Sequence, residues 1–368
     1  MKVLIVRLSA IGDVVQGIPC LVALKESFPA WEISWLVEET CAPILKKHPY
    51  LKHLFILNRN WRKKKGTPSL TDIFTGVHHM WNLGRCLQHE NFDIAIDLQG
   101  LFKSGFWTWF SGASRRIGHN KTREFAHHFL TEFASERPTF DPSFPLVQRY
   151  LEPARYLGAD VTRGRYILPQ TPEETVREVC SLLGHKTSPF PTIAFCPWSI
   201  WPSKNWPITY WKDLATALSK DFRVLLIGTN ENLAEAHWLE SHTPTILNLV
   251  GKTPISLLPE IFRHCQVVIG PDSGPLHLAN ATGVPRLLML FGSTSSRRSG
   301  PLGKEHRSLS LDLVCQPCFE RTCPLVHHNC LQLLNPKHVL QATLDLICQT
   351  SPSISPQIHT KDLTTLCE

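Results

Sequence analysis

Short runs of consecutive apolar residues alternate with longer stretches in which apolar residues recur at threes and fours. The short runs predict buried strands and the longer stretches predict helices packed on one face. In the first half, strands are predicted at Lys2 to Val6, Glu32 to Val37, Leu54 to Leu57 and Phe92 to Leu98. Helices are predicted through Val14, Ile18, Leu21, Leu24 and Phe28, then over Thr40 to Lys47, Leu70 to Glu90, Lys103 to Ser111 and Gln148 to Leu157. Composition shifts at Pro169-Gln170-Thr171-Pro172, and the pattern starts again after a helix at Glu173 to Leu183. Strands are then predicted at Thr192 to Cys196, Arg223 to Ile227, Ile246 to Leu249, Val267 to Ile269 and Arg286 to Phe291. The helices between them are Thr209 to Leu218, a stretch reaching Leu239, Ile255 to Cys265, a stretch through Leu276 and Ala281, and Pro336 to Gln349. Such βαβα alternation predicts the α/β class with parallel sheets covered on both faces. The expected organisation is two doubly wound domains, 1–170 and 171–350, followed by a loose, polar, Pro/Ser/Thr-rich tail over 351–368.

One stretch organises the rest. Cys265 to Pro285 reads as strand, sharp turn at Gly270-Pro271-Asp272-Ser273-Gly274, and helix ending at Gly283-Val284-Pro285. In open α/β sheets that arrangement aims a helix N-terminus, with its unpaired N–H groups, at a crevice suited to a phosphorylated ligand. Asp272 and Ser273 suit the helix N-cap, Gly274 admits close approach of a ligand, and His277 is expected to face the same opening. The plain alternative is an ordinary capped turn. Lys204, Thr229 to Glu231, and Ser293-Thr294 follow other strands of the second half, and together these groups could hold a diphosphate leaving group. Asp-x-Asp, the commonest carboxylate pair for a metal-bound sugar diphosphate, does not occur in the chain. In the first half, Asp13 stands at a turn-to-helix junction, where it can act as a base towards a hydroxyl or simply complement the helix dipole.

With 43% hydrophobic and 19% charged residues, 368 residues can bury two cores without staples, and no apolar run reaches the ~18 residues of a spanning helix. Arg7 and Asp13 interrupt any signal-peptide core, so a cytoplasmic location is expected. A net charge of +7 favours anionic partners. Without a nucleic-acid-reading module, nucleic acid is not expected among them. The charge collects in Arg62, Lys63, Lys64 and Lys65, then Lys103, Arg115 and Arg116, with Phe106, Trp107, Trp109 and Phe110 between. Aromatics flanked by cations suit the headgroup level of an anionic membrane, and equally suit burial in the core. Cys315, Cys318, Cys323 and Cys330, with His327 and His328 nearby, form a weak zinc candidate whose spacing lacks paired C-x-x-C motifs.

Taken in order, Val3 to Ser9, Ile11-Gly12-Asp13-Val14, Asp97 to Leu101 with Lys103-Ser104, Lys204-Asn205-Trp206-Pro207, and Asp272-Ser273-Gly274 with His277 resemble the ADP-heptose:lipopolysaccharide heptosyltransferase family. The resemblance extends to about residue 345. It implies a GT-B fold, two Rossmann-like domains facing across a cleft and closing about the Pro169–Pro191 linker. It also implies an inverting, metal-independent glycosyltransferase without a cofactor, working as a peripheral protein on the cytoplasmic face of the inner membrane. The N-terminal domain would bind a Kdo-bearing anionic lipid acceptor through Ser9, Gly12, Arg62, Gln99 and Lys103, with Asp13 as general base. The C-terminal domain would bind ADP-heptose through Lys204, Thr229, Glu231, Asp272, Ser273, Gly274 and His277. The N-terminal half is closer to the enzyme that adds the first heptose, and the Cys315–Cys330 segment is more like the one that adds the second. A related transferase of another nucleotide sugar and a catalytically silent nucleotide-binding protein are the alternatives.

Overall fold

Consecutive apolar residues form strands here because both faces of each sheet are covered. Val3, Leu4, Ile5 and Val6 are fully buried, as are Val267, Val268 and Ile269, the pattern of parallel sheets under helices. The structure, a computed structural model, describes residues 1–58, 70–120, 122–137, 140–184 and 190–348. Arg62 to Lys65, part of the Pro169–Pro191 linker and the 351–368 tail lie outside the described residues. The chain divides into two units, Met1–Gln170 and a second from Thr171 onward.

The first unit carries β1 (Lys2–Val6), α1 (Ile11–Ser27), β2 (Glu32–Glu38), α2 (Ala42–Leu45), β3 (Leu54–Leu57), α3 (Leu70–His89), β4 (Ile94–Asp97), α4 (Phe102–Phe110), β5 (Arg115–His119), β6 (Glu132–Ser135) and α5 (Leu146–Tyr156). Its strands pair in parallel in the order β3-β2-β1-β4-β5-β6. The second carries α6 (Glu173–Leu183), β7 (Thr192–Phe195), α7 (Ile208–Leu218), β8 (Arg223–Leu226), α8 (Leu233–His242), β9 (Leu247–Asn248), α9 (Leu258–Arg263), β10 (Val267–Pro271), α10 (Gly274–Ala281), β11 (Arg286–Phe291), α11 (Ser296–Ser299), β12 (Arg307–Ser310), α12 (Asn329–Gln332) and α13 (Pro336–Cys348). Its order is β12-β11-β10-β7-β8-β9, again parallel. Both units therefore wind outward from a central pair, β1/β4 in one and β7/β10 in the other. In each, the connections leave that pair in opposite directions, which opens a crevice at the strands' carboxyl ends.

The structure departs from the sequence reading at the sheet margins. β5, β6 and β12 are not predicted by the apolar pattern. Arg115 and Arg116 accordingly belong to a strand and not to a basic loop. Arg115 pairs with Glu132 through bonds of 2.8 and 2.7 Å, and Arg116 donates to the carbonyls of Phe129 and Ala113. The helix expected over Thr40 to Lys47 shortens to α2, and Lys47 stands beyond it at a φ of 63°. Of the aromatics expected at a membrane, Trp107 is buried in the core of the first unit and Phe106 and Phe110 pack against that core. Trp109 remains half exposed. Among the described residues no helix is long and apolar enough to cross a membrane.

The turn from β10 to α10 is packed to contact. A Cβ on Gly270 would lie 2.5 Å from Leu276 Cδ2 and 2.6 Å from the Cys196 carbonyl. Glycine is required there because β10, the neighbouring β7 and α10 meet with no room for a side chain. Gly270→Ala is expected to lower stability by about 1–3 kcal/mol, read as an earlier midpoint in urea unfolding. An unchanged midpoint would mean that the β10–α10 junction yields.

Candidate active site

In the first unit the residues singled out in sequence collect at the ends of β1 and β4. Asp13 occupies the first turn of α1, where its carboxylate accepts from the Ala10 N–H at 3.3 Å. The same oxygen takes a 2.5 Å ion pair from Arg7, and the other oxygen lies 3.3 Å from the Tyr150 hydroxyl. Arg7 is buried, with its guanidinium 5.3 Å from the centre of the Tyr150 ring. Burial opposes its charge, but Asp13 foremost, with Tyr150 and Asp97, outweighs that and holds Arg7 above its ordinary range. Asp13 thus sits against a fixed cation with about a third of its side chain open to solvent.

The loop after β4 is tied by Asp97, which is wholly buried and accepts from the N–H groups of Gln99 and Gly100 and from the Ser104 hydroxyl at 2.8, 3.0 and 3.0 Å. Burial pushes the Asp97 carboxyl above its usual range, against the pull of these donors and of Arg7. Gly100 turns the chain at a φ of 69°. Gln99 Oε1 then accepts from the Leu8 N–H at 3.0 Å and joins the two loops. Lys103 spans them again, donating to Ser9 Oγ at 2.9 Å and to Glu38 at 3.0 Å. Ser9, Gln99 and Lys103 are therefore brought together beside Asp13, and Gly12 is buried within α1.

In the second unit the centre is Asp272, at the end of β10. It is 5% exposed. Lys204 donates to its Oδ2 at 3.0 Å and to its main-chain carbonyl at 3.2 Å, and His277 Nε2 lies 2.9 Å from Oδ1. Burial acts to raise the Asp272 carboxyl, but Lys204 first and His277 second reverse this and hold it far below the usual range. A permanent carboxylate only accepts, so the ring nitrogen of His277 facing it carries a proton. This corrects the sequence reading on two residues. Asp272 does not cap α10, since Ser273 holds that position, and His277 is buried against Asp272 and does not face an opening.

The Lys204 loop is shaped by its neighbours. Asn205 Oδ1 accepts from the Ser199 N–H at 2.7 Å, and the buried Trp206 donates its indole N–H to the Leu334 carbonyl at 2.7 Å. Pro207 then caps α7. The ammonium lies 4.9 Å from the centre of the Trp201 ring. It has three N–H donors, and Asp272 takes two of them. Gly274 opens α10, and the Ser273 hydroxyl oxygen, enclosed at its cap, has no hydrogen-bond partner among the described residues. Thr229 and Glu231 stand after β8, on an exposed turn where Thr229 donates its N–H and hydroxyl to Asn232. The structure does not join them to the Lys204–Asp272–His277 cluster. Ser293 bonds Ser203 at 2.8 Å, while the buried Thr294 hydroxyl has no partner among the described residues.

Arg7, Tyr150, Glu38 and Trp201 were not assigned roles from sequence. Tyr150 is 137 positions from Asp13 and carries no local signal. Arg7 could have been found, because a cation at the end of an otherwise apolar strand needs a buried partner. Cys315, Cys318, Cys323 and Cys330 line one recess with Ser203 and Ser293. Cys330 is pushed up to about 11, first by burial and then by the other three cysteines.

Residues 80–328, well over half of the chain, match the family described as glycosyltransferase family 9 (heptosyltransferase). Lipopolysaccharide heptosyltransferase 1 of Pseudomonas aeruginosa is 27% identical over 329 residues, covering 88% of this chain and 87% of that protein. Lipopolysaccharide heptosyltransferase 2 of Escherichia coli is 25% identical over 367 residues, covering 95% and 99%. Among solved structures, the E. coli ADP-heptose lps heptosyltransferase II superimposes with a TM-score of 0.74 at 22% identity, over 95% of this chain and 99% of that one. The superposition establishes a shared fold with a GT-B heptosyltransferase.

The Asp272 cluster sets a pH dependence. A carboxyl held low in the folded chain adds stability that is fully present above the unfolded carboxyl's value of about 4 and is lost as pH falls from there towards the folded value. Asp272→Asn is expected to cost about 3 kcal/mol at neutral pH, since it leaves Lys204 buried without its counter-charge. The gap from the parent chain should narrow below about pH 4. Urea unfolding of both chains across pH, followed by tryptophan fluorescence, measures it; a gap independent of pH would show that Asp272 stabilises through packing alone.

Proposed function

The chain belongs to glycosyltransferase family 9, the heptosyltransferases, and from that premise we propose that it transfers heptose from ADP-heptose to a Kdo hydroxyl of the lipopolysaccharide inner core, with Kdo–lipid A as acceptor. The observation that carries the reading is the pair of crevices. A carboxylate beside a buried arginine occupies one, and a lysine locked on a buried aspartate beside a helix N-terminus occupies the other.

In this reading Asp13 is the general base. Its partner Arg7 holds it in place, and a carboxylate partly open to solvent can take the proton of an attacking hydroxyl. Lys103, with Ser9, Gly12 and Gln99, forms the acceptor side and offers a cation to the Kdo carboxylate or a lipid phosphate. Arg62 is proposed for the same role. On the donor side, the remaining N–H of Lys204, the Ser273 hydroxyl and the backbone at Gly274 meet the diphosphate, and the dipole of α10 favours its charge. Asp272 and His277 fix the lysine. Thr229 and Glu231 are proposed to contact the nucleoside. The leaving ADP develops negative charge against these groups as the anomeric carbon passes through an oxocarbenium-like state. Displacement in a single step inverts that carbon. Lys204 and the helix N-terminus supply the charge that a divalent ion supplies elsewhere, so added magnesium should leave the rate unchanged.

Peripheral contact with the cytoplasmic face of the inner membrane is part of the proposal. Phe74, Trp81 and Trp109 are each half or more exposed, which suits a lipid headgroup layer near an anionic acceptor. The second reading is addition of the second heptose, favoured by the cysteine segment. Purified Kdo–lipid A and its monoheptosylated form, each offered with ADP-heptose, decide between them. Product on the first alone supports the proposal, and product on the second alone moves the chain to the later step. ADP-heptose binding without product on either would mean another acceptor or a silent protein, and no binding would overturn the donor assignment.

Two variants separate the half-sites. Asp13→Asn should lower turnover by on the order of 10²–10⁴-fold while ADP-heptose affinity, read by calorimetry, stays the same. Lys204→Ala should weaken ADP-heptose binding by about 1.5–3 kcal/mol, the range for a hydrogen bond to a charged group. Unaltered turnover in the first would remove Asp13 from the role of base. Unaltered affinity in the second would remove Lys204 from the diphosphate.

A further inference from the structure

Between β12 and α12 the chain runs without helix or strand and yet holds a defined shape. Hydrophobic burial accounts for only part of it: Leu311 packs against the core, but Val314, Leu325 and Val326 are all more than half exposed. Three non-glycine residues there, Phe319, Val326 and His328, adopt left-handed backbone at φ of 56°, 62° and 50°. Each such residue costs about 1–2 kcal/mol and needs a constraint to hold it. A short segment that exposes its apolar side chains and stores strain is ordinarily held by covalent or metal cross-links.

The side chains for one are present. Cys315, Cys318, Cys323 and Cys330 all border a single recess, and none is in a disulfide. The recess lies against the Lys204 loop. The Ser203 N–H donates to the Arg321 carbonyl at 3.1 Å, the Ser203 hydroxyl donates to the Glu320 carbonyl at 2.5 Å, and His328 Nε2 lies 2.9 Å from the Ser203 carbonyl. On the other side the Phe319 N–H donates to the Ser293 carbonyl at 2.7 Å.

We propose that Cys315, Cys318, Cys323 and Cys330 bind one thiophilic transition-metal ion, zinc in the first instance, as a structural tetrathiolate site that braces the Lys204 loop. Four sulfurs and no open position suit a closed structural site rather than a catalytic one. Among the described residues no group of three ligating side chains is already gathered to hold an ion. Binding therefore requires the four thiols, which share the recess, to turn inward. Each thiol that becomes a ligand releases its proton to solvent, and the ion's charge offsets the thiolates that replace them. His327 and His328 remain outside the ligand set, and His328 is already engaged with Ser203.

The site can be tested without reference to sugar transfer. The full chain is purified without chelator and its metals are measured by plasma mass spectrometry. Close to one equivalent of zinc or iron per chain is expected. Anaerobic replacement by cobalt should give thiolate-to-metal charge-transfer absorption. The double variant Cys318→Ser/Cys323→Ser should lose the metal at least tenfold and unfold several degrees earlier. Failure of the wild-type chain to hold either zinc or iron as purified, and to take up zinc on anaerobic titration with zinc chloride, would overturn the proposal whether or not the variant folds. So would disulfides among the four cysteines in peptide mapping, or a double variant that keeps its metal. A chain that transfers no heptose but holds its metal would leave this inference standing and remove only the functional one.

Discussion

A parallel sheet can be wound outward in two directions only by starting from a central pair of strands, and at that pair the connecting chains part. Both half-sites are a consequence of that parting. β1 and β4 in the first unit, and β7 and β10 in the second, end side by side with their following loops diverging. The gap exposes backbone and helix N-termini that would otherwise be covered. Polar residues can be set there because the flanking strands, packed with Val, Leu and Ile, hold the loop ends in fixed positions.

The two crevices meet the cost of burying charge in the same way. In each, a carboxylate from a strand-to-helix turn is matched with a cation from the loop or strand beside it, Arg7 with Asp13 and Lys204 with Asp272. The pairs differ in how far they are closed. Asp272 is enclosed and has a second partner in His277, so it works as a fixed post against which Lys204 is held. Asp13 is only partly covered and keeps one edge towards solvent. A buried pair of the first kind gives position, and a half-open pair of the second kind keeps an acceptor within reach of a reactant.

Central strands were legible in the sequence because burial on both faces demands unbroken apolar runs. Three of the marginal strands were not, since Arg115–His119, Glu132–Ser135 and Arg307–Ser310 carry polar residues that positions at or near the sheet edges tolerate, whereas the edge strands β3 and β9 were read. The positions of Asp13, Lys204 and Asp272 could be picked out by their place after a strand. Which residue meets which could not. Tyr150 reaches Asp13 from α5, and Lys204 reaches Asp272 across 68 positions. Those meetings depend on strand order, which local pattern does not encode. Asp272 shows the same limit from the other side. Its spacing suits a cap, but a lysine and a histidine close by outcompete the backbone N–H groups for its oxygens.

The strand lengths have a consequence for how the protein behaves in solution. The outermost strands are short, with four residues each in β3, β6 and β12 and two in β9. An open sheet edge is a template on which another chain can add a strand, and the strength of that template grows with its length. β6 is further interrupted by a register shift against β5 between Gly118 and His119. Trimming the margins to a few hydrogen bonds lets two large parallel sheets coexist in one chain while offering little for edge-to-edge aggregation to build on.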